Sequence, residues 1–201
     1  MDFLFNVPQL VATVGYLGIF TIIFLESGMV VGFFLPGDSL LFTAGILASQ
    51  GHFSIVLLLI IIFVAAVAGD SAGYALGAKF GPKVFERKNA QSFKKSHLDS
   101  AKAYYSHYGP ITIVMARFMP IVRAIVPLLA GVGKMQYSTF VTYNVLGGAL
   151  WTLSVTLLGY FLGNSVPHIE RYIVPIIIGI VVLSFIPAIV RIITNNLHKK
   201  A

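Results

Sequence analysis

No cysteine occurs in the sequence, which excludes disulfides and thiolate metal sites. Charge is almost as scarce: 10% of residues are Asp, Glu, Lys or Arg, against about 25% in soluble domains. No HExxH pattern is present and no glycine-rich phosphate loop appears, so the zinc-hydrolase and nucleotide-loop signatures are missing. The five histidines are scattered at segment ends or in polar stretches, and no metal site is assigned. The N-terminus carries Asp2 and no Lys or Arg before the first apolar stretch, so no cleaved secretory signal is expected there.

What remains is apolar. Hydrophobic residues make up 57% of the 201 positions, and the mean hydropathy is +0.88. A soluble fold of this length lacks the interior volume to hide so much apolar surface. Lipid must cover the rest, and at roughly 20 residues per crossing the chain holds about four to six spans. Seven of the 14 basic residues lie between Lys79 and Lys102, and Lys199 and Lys200 come at the end. Basic clusters flanking apolar spans follow the positive-inside rule, which explains the excess better than nucleic-acid binding does.

Six apolar segments follow from the hydropathy pattern, at about 10–25, 29–49, 53–80, 110–132, 137–162 and 172–195. The second is interrupted by Pro36, Gly37 and Asp38, and the fourth by Arg117, Pro120, Arg123 and Pro127. Proline removes a backbone donor, and irregular backbone survives at membrane depth only inside protein or beside a water-filled cavity. Segments 29–49 and 110–132 therefore read as re-entrant helical hairpins with breaks at Pro36, Gly37 and Pro120. The other four segments read as full crossings.

An internal repeat supports this division. Phe34, Leu35 and Pro36 match Phe118, Met119 and Pro120 at an offset of 84 residues, as Phe53 and Ser54 match Tyr137 and Ser138. Gly73, Tyr74 and Gly77 match Gly159, Tyr160 and Gly163 at an offset of 86. Repeat one covers about 10–80 and repeat two about 110–163, in a single membrane domain. The stretch between them, 82–108, is basic and partly amphipathic, suiting an interfacial helix on an anionic leaflet. The expected fold is an all-α polytopic membrane protein, with about four transmembrane helices and two re-entrant hairpins in inverted repeat. Both termini and the basic stretch then share the cytoplasmic side.

Each ionised group in mid-bilayer costs roughly 2.5–3.5 kcal/mol on insertion scales. Glu26, Asp38, Arg117 and Arg123 unpaired would cost on the order of 10 kcal/mol, as much as the stability of a whole domain. They should pair or face water, and their formal charges sum to zero. Arg117 and Arg123 stand three residues either side of Pro120. On an unbroken helix they would diverge by about 240°, but a turn at Pro120 could bring both to one cavity. The arginine fork suits phosphate or carboxylate, which makes an anionic lipid the expected ligand. Glu26 and Asp38 fit proton relay, while Asp70, among Gly69, Ser71 and Gly73, is either a third relay or a helix-contact hydrogen bonder. Asp38 could instead cap the returning half-helix, and both arginines could serve only to pair with the acids. Trp151, the only tryptophan, reads as a packing or interface anchor.

The pattern Glu-x9-Pro-Gly-Asp from Glu26 to Asp38 sits between Phe24 and Ser39. The run Arg-Phe-Met-Pro-Ile-Val-Arg from Arg117 to Arg123 is followed by Ala130 and Gly131, and Gly69, Asp70, Gly73, Tyr74 and Gly77 lie between the two. In order and spacing these strongly resemble the DedA family of bacterial inner-membrane proteins, within the wider VTT or SNARE-associated superfamily. The likeness runs from about residue 15 to residue 163. It implies two re-entrant hairpins in inverted repeat and a bacterial inner-membrane location. The implied function is translocation of undecaprenyl phosphate or a related anionic lipid, driven by the proton motive force. Glu26 and Asp38 would be its essential acidic pair and Arg117 and Arg123 its essential arginine pair. No enzyme activity, cofactor or nucleic acid is implied; the partners are the lipid, the membrane, protons and, compatibly, further copies of the chain. Two competing expectations are a proton-coupled small-solute or ion transporter that maintains membrane potential and a passive phospholipid scramblase.

Overall fold

The computed structural model describes residues 7–29, 37–86, 109–166 and 175, with side chains placed for most of them. Its regular structure there is helical throughout: α1 Val7–Gly28, α2 Gly37–Ser49, α3 Ile55–Glu86, α4 Ile111–Ala116, α5 Pro120–Val132 and α6 Tyr137–Ser165. Pro36, most of the basic stretch 82–108 and nearly all of the segment 172–195 lie outside the described residues. The first residues assigned to the basic stretch belong to α3, which continues through Glu86.

Among the described residues, two helices are long and apolar enough to cross a bilayer, Ile55–Phe80 within α3 and Tyr137–Ser165. Large apolar side chains on both stay exposed, among them Val56, Ile60, Val64, Leu146, Leu150 and Leu158. Such a surface suits lipid rather than water. By contrast α2 is buried almost all round, from Gly37 to Ala48. At about 20 Å it is shorter than the roughly 30 Å hydrocarbon core, and α4 at about 9 Å is shorter still.

Segment one, expected as an unbroken crossing, is divided at Gly15. There the backbone takes φ 61° and ψ −166°, a conformation that side chains with a Cβ rarely adopt. The helix that follows, Gly15–Gly28, is about 21 Å long. It runs beside α3 in the same direction. The Ser54 N–H at the start of α3 donates to the Tyr16 hydroxyl at 2.7 Å, while Gly28 meets the Gly69 backbone near the middle of α3.

The break between α4 and α5 has a local cause. The N–H groups of Arg117, Phe118 and Met119 bond to the carbonyls three residues earlier, closing tight turns. Met119 then extends, at φ −122° and ψ 103°, as the residue before a proline prefers. Pro120 restarts the helix at its first turn, where a missing N–H does no harm.

The two broken segments pack crosswise on the long helices. In α2, Gly45 lies against the Thr156 and Tyr160 backbone of α6, and Ser49 lies against Gly163. In α5, Gly131 lies against the Tyr74 and Ala78 backbone of α3, and Leu128 lies against Gly77. A Cβ at Gly45 or Gly131 would collide with facing main chain, so these glycines permit the contact. Tyr74 and Gly131 stand 86 residues before Tyr160 and after Gly45, respectively, so the two contacts are numbered as repeat mates. The two returning helices leave the middle of α3 in opposite directions. The far end of α2 approaches the start of α3, and the far end of α5 approaches Ala78.

The main core joins α1, α2, α3 and α6 through Ile19, Ile23, Leu41, Leu58, Ile62 and Trp151. A second cluster around Ile113, Val126, Ala130 and Phe140 seats the α4–α5 unit, with Tyr74 stacked on Phe140. Between these clusters, midway along α3, lie the buried charges.

Candidate functional site

Five ionisable side chains from α1, α2, α3, α5 and the α4–α5 break converge there. Glu26, Asp70, Arg117 and Arg123 are 3–9% exposed. The Asp38 side chain is the most open of the five, at 19%. Burying ions is tolerable only when they are paired and hydrogen-bonded, and the cluster meets that condition through two nodes.

The first node is centred on Arg123, in the opening turn of α5. Its Nη1 donates to Asp38 Oδ1 at 2.9 Å and its Nη2 donates to Glu26 Oε1. One guanidinium thus serves two carboxylates. Gly37 makes this geometry possible, because a Cβ there would collide with the Glu26 carboxylate. Asp38 Oδ1 also accepts from Trp151 Nε1 at 2.8 Å.

The second node is centred on Arg117, in the break itself. Its Nη2 donates to Asp70 Oδ2 and to Asn144 Oδ1, both at 2.5 Å. Asn144 is fully buried, and its Nδ2 donates to the Val67 carbonyl at 3.1 Å, fastening α6 to α3. Gly147 and Gly148 leave room on α6 for the Arg117 side chain: a Cβ on Gly147 would lie 3.3 Å from Arg117 Cδ. Arg117 Nε is buried and finds no acceptor among the described residues.

Trp151 stands between the nodes. Its ring centroid is 4.8 Å from Arg123 Cζ and 6.0 Å from Arg117 Cζ, within range of cation–π attraction.

The five sequence-derived site residues therefore share one region but are partnered differently from a single balanced quartet. Glu26 and Asp38 belong to Arg123, whereas Arg117 belongs to Asp70. Asp70, left out of the balanced sum, is an ion-pair partner at the helix contact. Three carboxylates face two guanidiniums, so the fully ionised cluster carries a formal charge of −1. Gly37 and Pro120 open the helices that carry Asp38 and Arg123.

Two residues were missed. Asn144 could have been found by the same insertion cost that selected the charges, since an amide in mid-span needs partners. Trp151 was read as packing. Its place near the middle of a span, away from the interface where tryptophan usually anchors, was the available signal.

The fold and the site together define a helical membrane protein with a buried, hydrogen-bonded ion-pair cluster at the meeting point of interrupted helices. The comparisons agree on the membrane class. The chain matches the VTT domain over residues 35–161. Protein DedA of Escherichia coli K12 is 40% identical over 210 residues, covering all of this chain and 94% of that protein. An uncharacterized membrane protein of Mycobacterium leprae is 40% identical over 169 residues, 84% of this chain and 75% of the relative. Inner membrane protein YghB of E. coli K12 is 34% identical over 166 residues, 82% and 74% of the two chains. No solved structure matches. The chain belongs to the DedA family of VTT-domain membrane proteins.

Proposed function

We infer that this protein translocates an anionic lipid phosphate, undecaprenyl phosphate or a close relative, across the bacterial inner membrane, using the proton motive force and no enzymatic step. The observation that carries this reading is Arg123. A guanidinium fork lies deep among apolar helices, at the N-terminal end of α5, and among the described residues its N–H donors are held by side-chain carboxylates that an incoming phosphate can replace. Protons on Glu26 or Asp38 would release the fork, and the excess of carboxylates over guanidiniums gives the site a place for them. Arg117, with Nε unused, would assist once the phosphate is in place. The polyprenyl tail would remain in lipid against the apolar flanks of α3 and α6.

The architecture supports the reading. Half-length helices that meet at buried charge are a common plan for transport sites. Here α1 after Gly15 and α2 form the arms of one re-entrant hairpin, and the chain through α4 and α5 forms the other. They enter from opposite faces in an inverted repeat. The hairpin of repeat one then begins near Gly15 rather than at 29. With the basic stretch 82–108 on the cytoplasmic side, residues 49–54 face the opposite side and residues 133–136 face the cytoplasm. The crossing expected from the hydropathy of 172–195 would return the C-terminal tail to the cytoplasm. The side taken by the N-terminus depends on the residues before Gly15.

The absence of cysteine makes the topology easy to test. Single His52→Cys and Lys134→Cys variants should react with an impermeant maleimide from opposite faces of inverted and right-side-out vesicles. Labelling of both from one face would remove the inverted arrangement.

The transport reading is tested in liposomes containing the purified protein, by following labelled undecaprenyl phosphate and labelled phosphatidylcholine with and without a pH gradient. Faster movement of the phosphate lipid, responsive to the gradient, is expected. Equal movement of both lipids without a gradient effect would mark a passive scramblase. Flux of protons or small solutes without lipid movement would mark a solute or ion transporter.

A further inference from the structure

Arg123 presents an asymmetry that the ion pairs alone do not explain. Its in-plane N–H edge is taken by Asp38 and Glu26, the same edge a phosphate would need. Its Cζ lies over the Trp151 ring, 4.8 Å from the ring centroid. An aromatic face stabilises a guanidinium without using any of its N–H donors. The two kinds of partner are therefore independent: the N–H donors can change ligand while the ring contact stays.

Asp38 shows the complementary feature. Its Oδ1 accepts from Arg123 Nη1 at 2.9 Å and from Trp151 Nε1 at 2.8 Å. When Arg123 turns to another anion, the indole N–H still holds this carboxylate in place. Trp151 is itself 2% exposed and packed in the main core, on a helix that also positions Arg117 through Asn144. Both polar partners of the exchange are thus held by one rigid side chain.

We propose that Trp151 is a positioning residue of the site, whose ring covers Arg123 and whose N–H retains Asp38 while Arg123 exchanges its carboxylates for the lipid phosphate. The inference rests on the reading of the cluster as a lipid-phosphate site. It assigns the two halves of the indole separate tasks, and they can be removed one at a time. Trp151→Phe keeps an aromatic face and deletes the N–H. Trp151→Leu deletes both.

The test measures undecaprenyl phosphate movement in liposomes as a function of lipid fraction and of pH. Trp151→Phe should keep the apparent KM for the lipid within about twofold, as expected while a cation–π face remains, but move the pH profile of transport to higher pH. Trp151→Leu should show the same pH displacement and raise the apparent KM by about fivefold or more, the scale of a lost buried cation–π contact. Residue 151 is the only tryptophan in the chain, so wild-type emission reports directly on this position without any variant. Undecaprenyl phosphate should change that emission, whereas the uncharged alcohol undecaprenol should leave it unchanged.

If both variants are recovered folded with wild-type KM and pH profile, while the wild type moves the lipid, the inference is overturned and the site reading stands. If Trp151→Leu fails to fold, the pH profile of Trp151→Phe and the wild-type emission decide. An unmoved profile, or emission indifferent to undecaprenyl phosphate in a transporting protein, overturns the inference. If the wild type neither moves the lipid nor changes emission, the lipid-phosphate reading fails and the inference fails with it.

Discussion

Arg123→Gln is expected to abolish lipid transport, lowering the initial rate by at least about 100-fold, the usual effect of removing a positioned charge from a developing interaction. The same variant is expected to lose stability. Removing one partner of a buried ion pair costs about 3–5 kcal/mol because the other is left uncompensated, and here Glu26 and Asp38 lose their guanidinium together. A single variant would therefore confuse folding with function. The triple change Glu26→Gln, Asp38→Asn and Arg123→Gln removes every charge of the node, keeps the shape of both acidic side chains and shortens the third. It should recover most of the thermal stability, measured in detergent by the unfolding midpoint, and recover none of the transport. Transport by the triple variant would show that the node only holds the helices together.

Asp70→Ala is expected to have the largest effect on folding. It leaves the Arg117 guanidinium 3% exposed in an apolar interior with Asn144 Oδ1 and a distant carbonyl as its remaining acceptors. A loss of about 3–5 kcal/mol is expected, seen as a sharply lowered yield of monodisperse protein and a lower unfolding midpoint. Asp70→Asn combined with Arg117→Gln should regain all but about 1 kcal/mol, since neutralising both partners of a buried pair is often nearly neutral. Failure of the double variant to recover would mean that the Arg117 charge is needed for the fold independently of Asp70.

The contrast between these variants reflects how the nodes are built. Arg117 is tied to α3 through Asp70 and to α6 through Asn144, so it joins the two long helices. Arg123 is tied to the end of α1 and the start of α2, so it joins the two interrupted segments. The Arg123 node is therefore the one built on interrupted segments.

Much of this was legible in the sequence because charge inside an apolar segment is expensive whatever the fold. That argument selected Glu26, Asp38, Asp70, Arg117 and Arg123 without knowing their neighbours. Pro120 likewise marked a break, because proline and the residue before it disfavour continued helix on local grounds. Pairing was less accessible. Summing four charges to zero suggested one quartet, but partner choice depends on which helices touch. That is set by glycines such as Gly45 and Gly131, whose role appears only when the facing backbone is known. The division at Gly15 was hidden for a related reason. Hydropathy continues smoothly through residues 10–25, and only the positive φ at Gly15 ends the helix there. Asn144 was overlooked, and Trp151 was read as packing alone, because a neutral side chain raises no alarm in a charge count, although both hydrogen-bond to the ion pairs.

The central claim is that a lipid phosphate binds on the Arg123 fork. The phosphorus-31 resonance of undecaprenyl phosphate in detergent micelles tests this most directly, compared among no protein, wild type and the triple variant lacking the Arg123 node. The account predicts a shifted or broadened resonance with wild type, reversed by a competing anionic lipid that contains no phosphorus, and a protein-free spectrum with the triple variant. The same spectral change with both folded proteins would place the phosphate elsewhere and contradict the account.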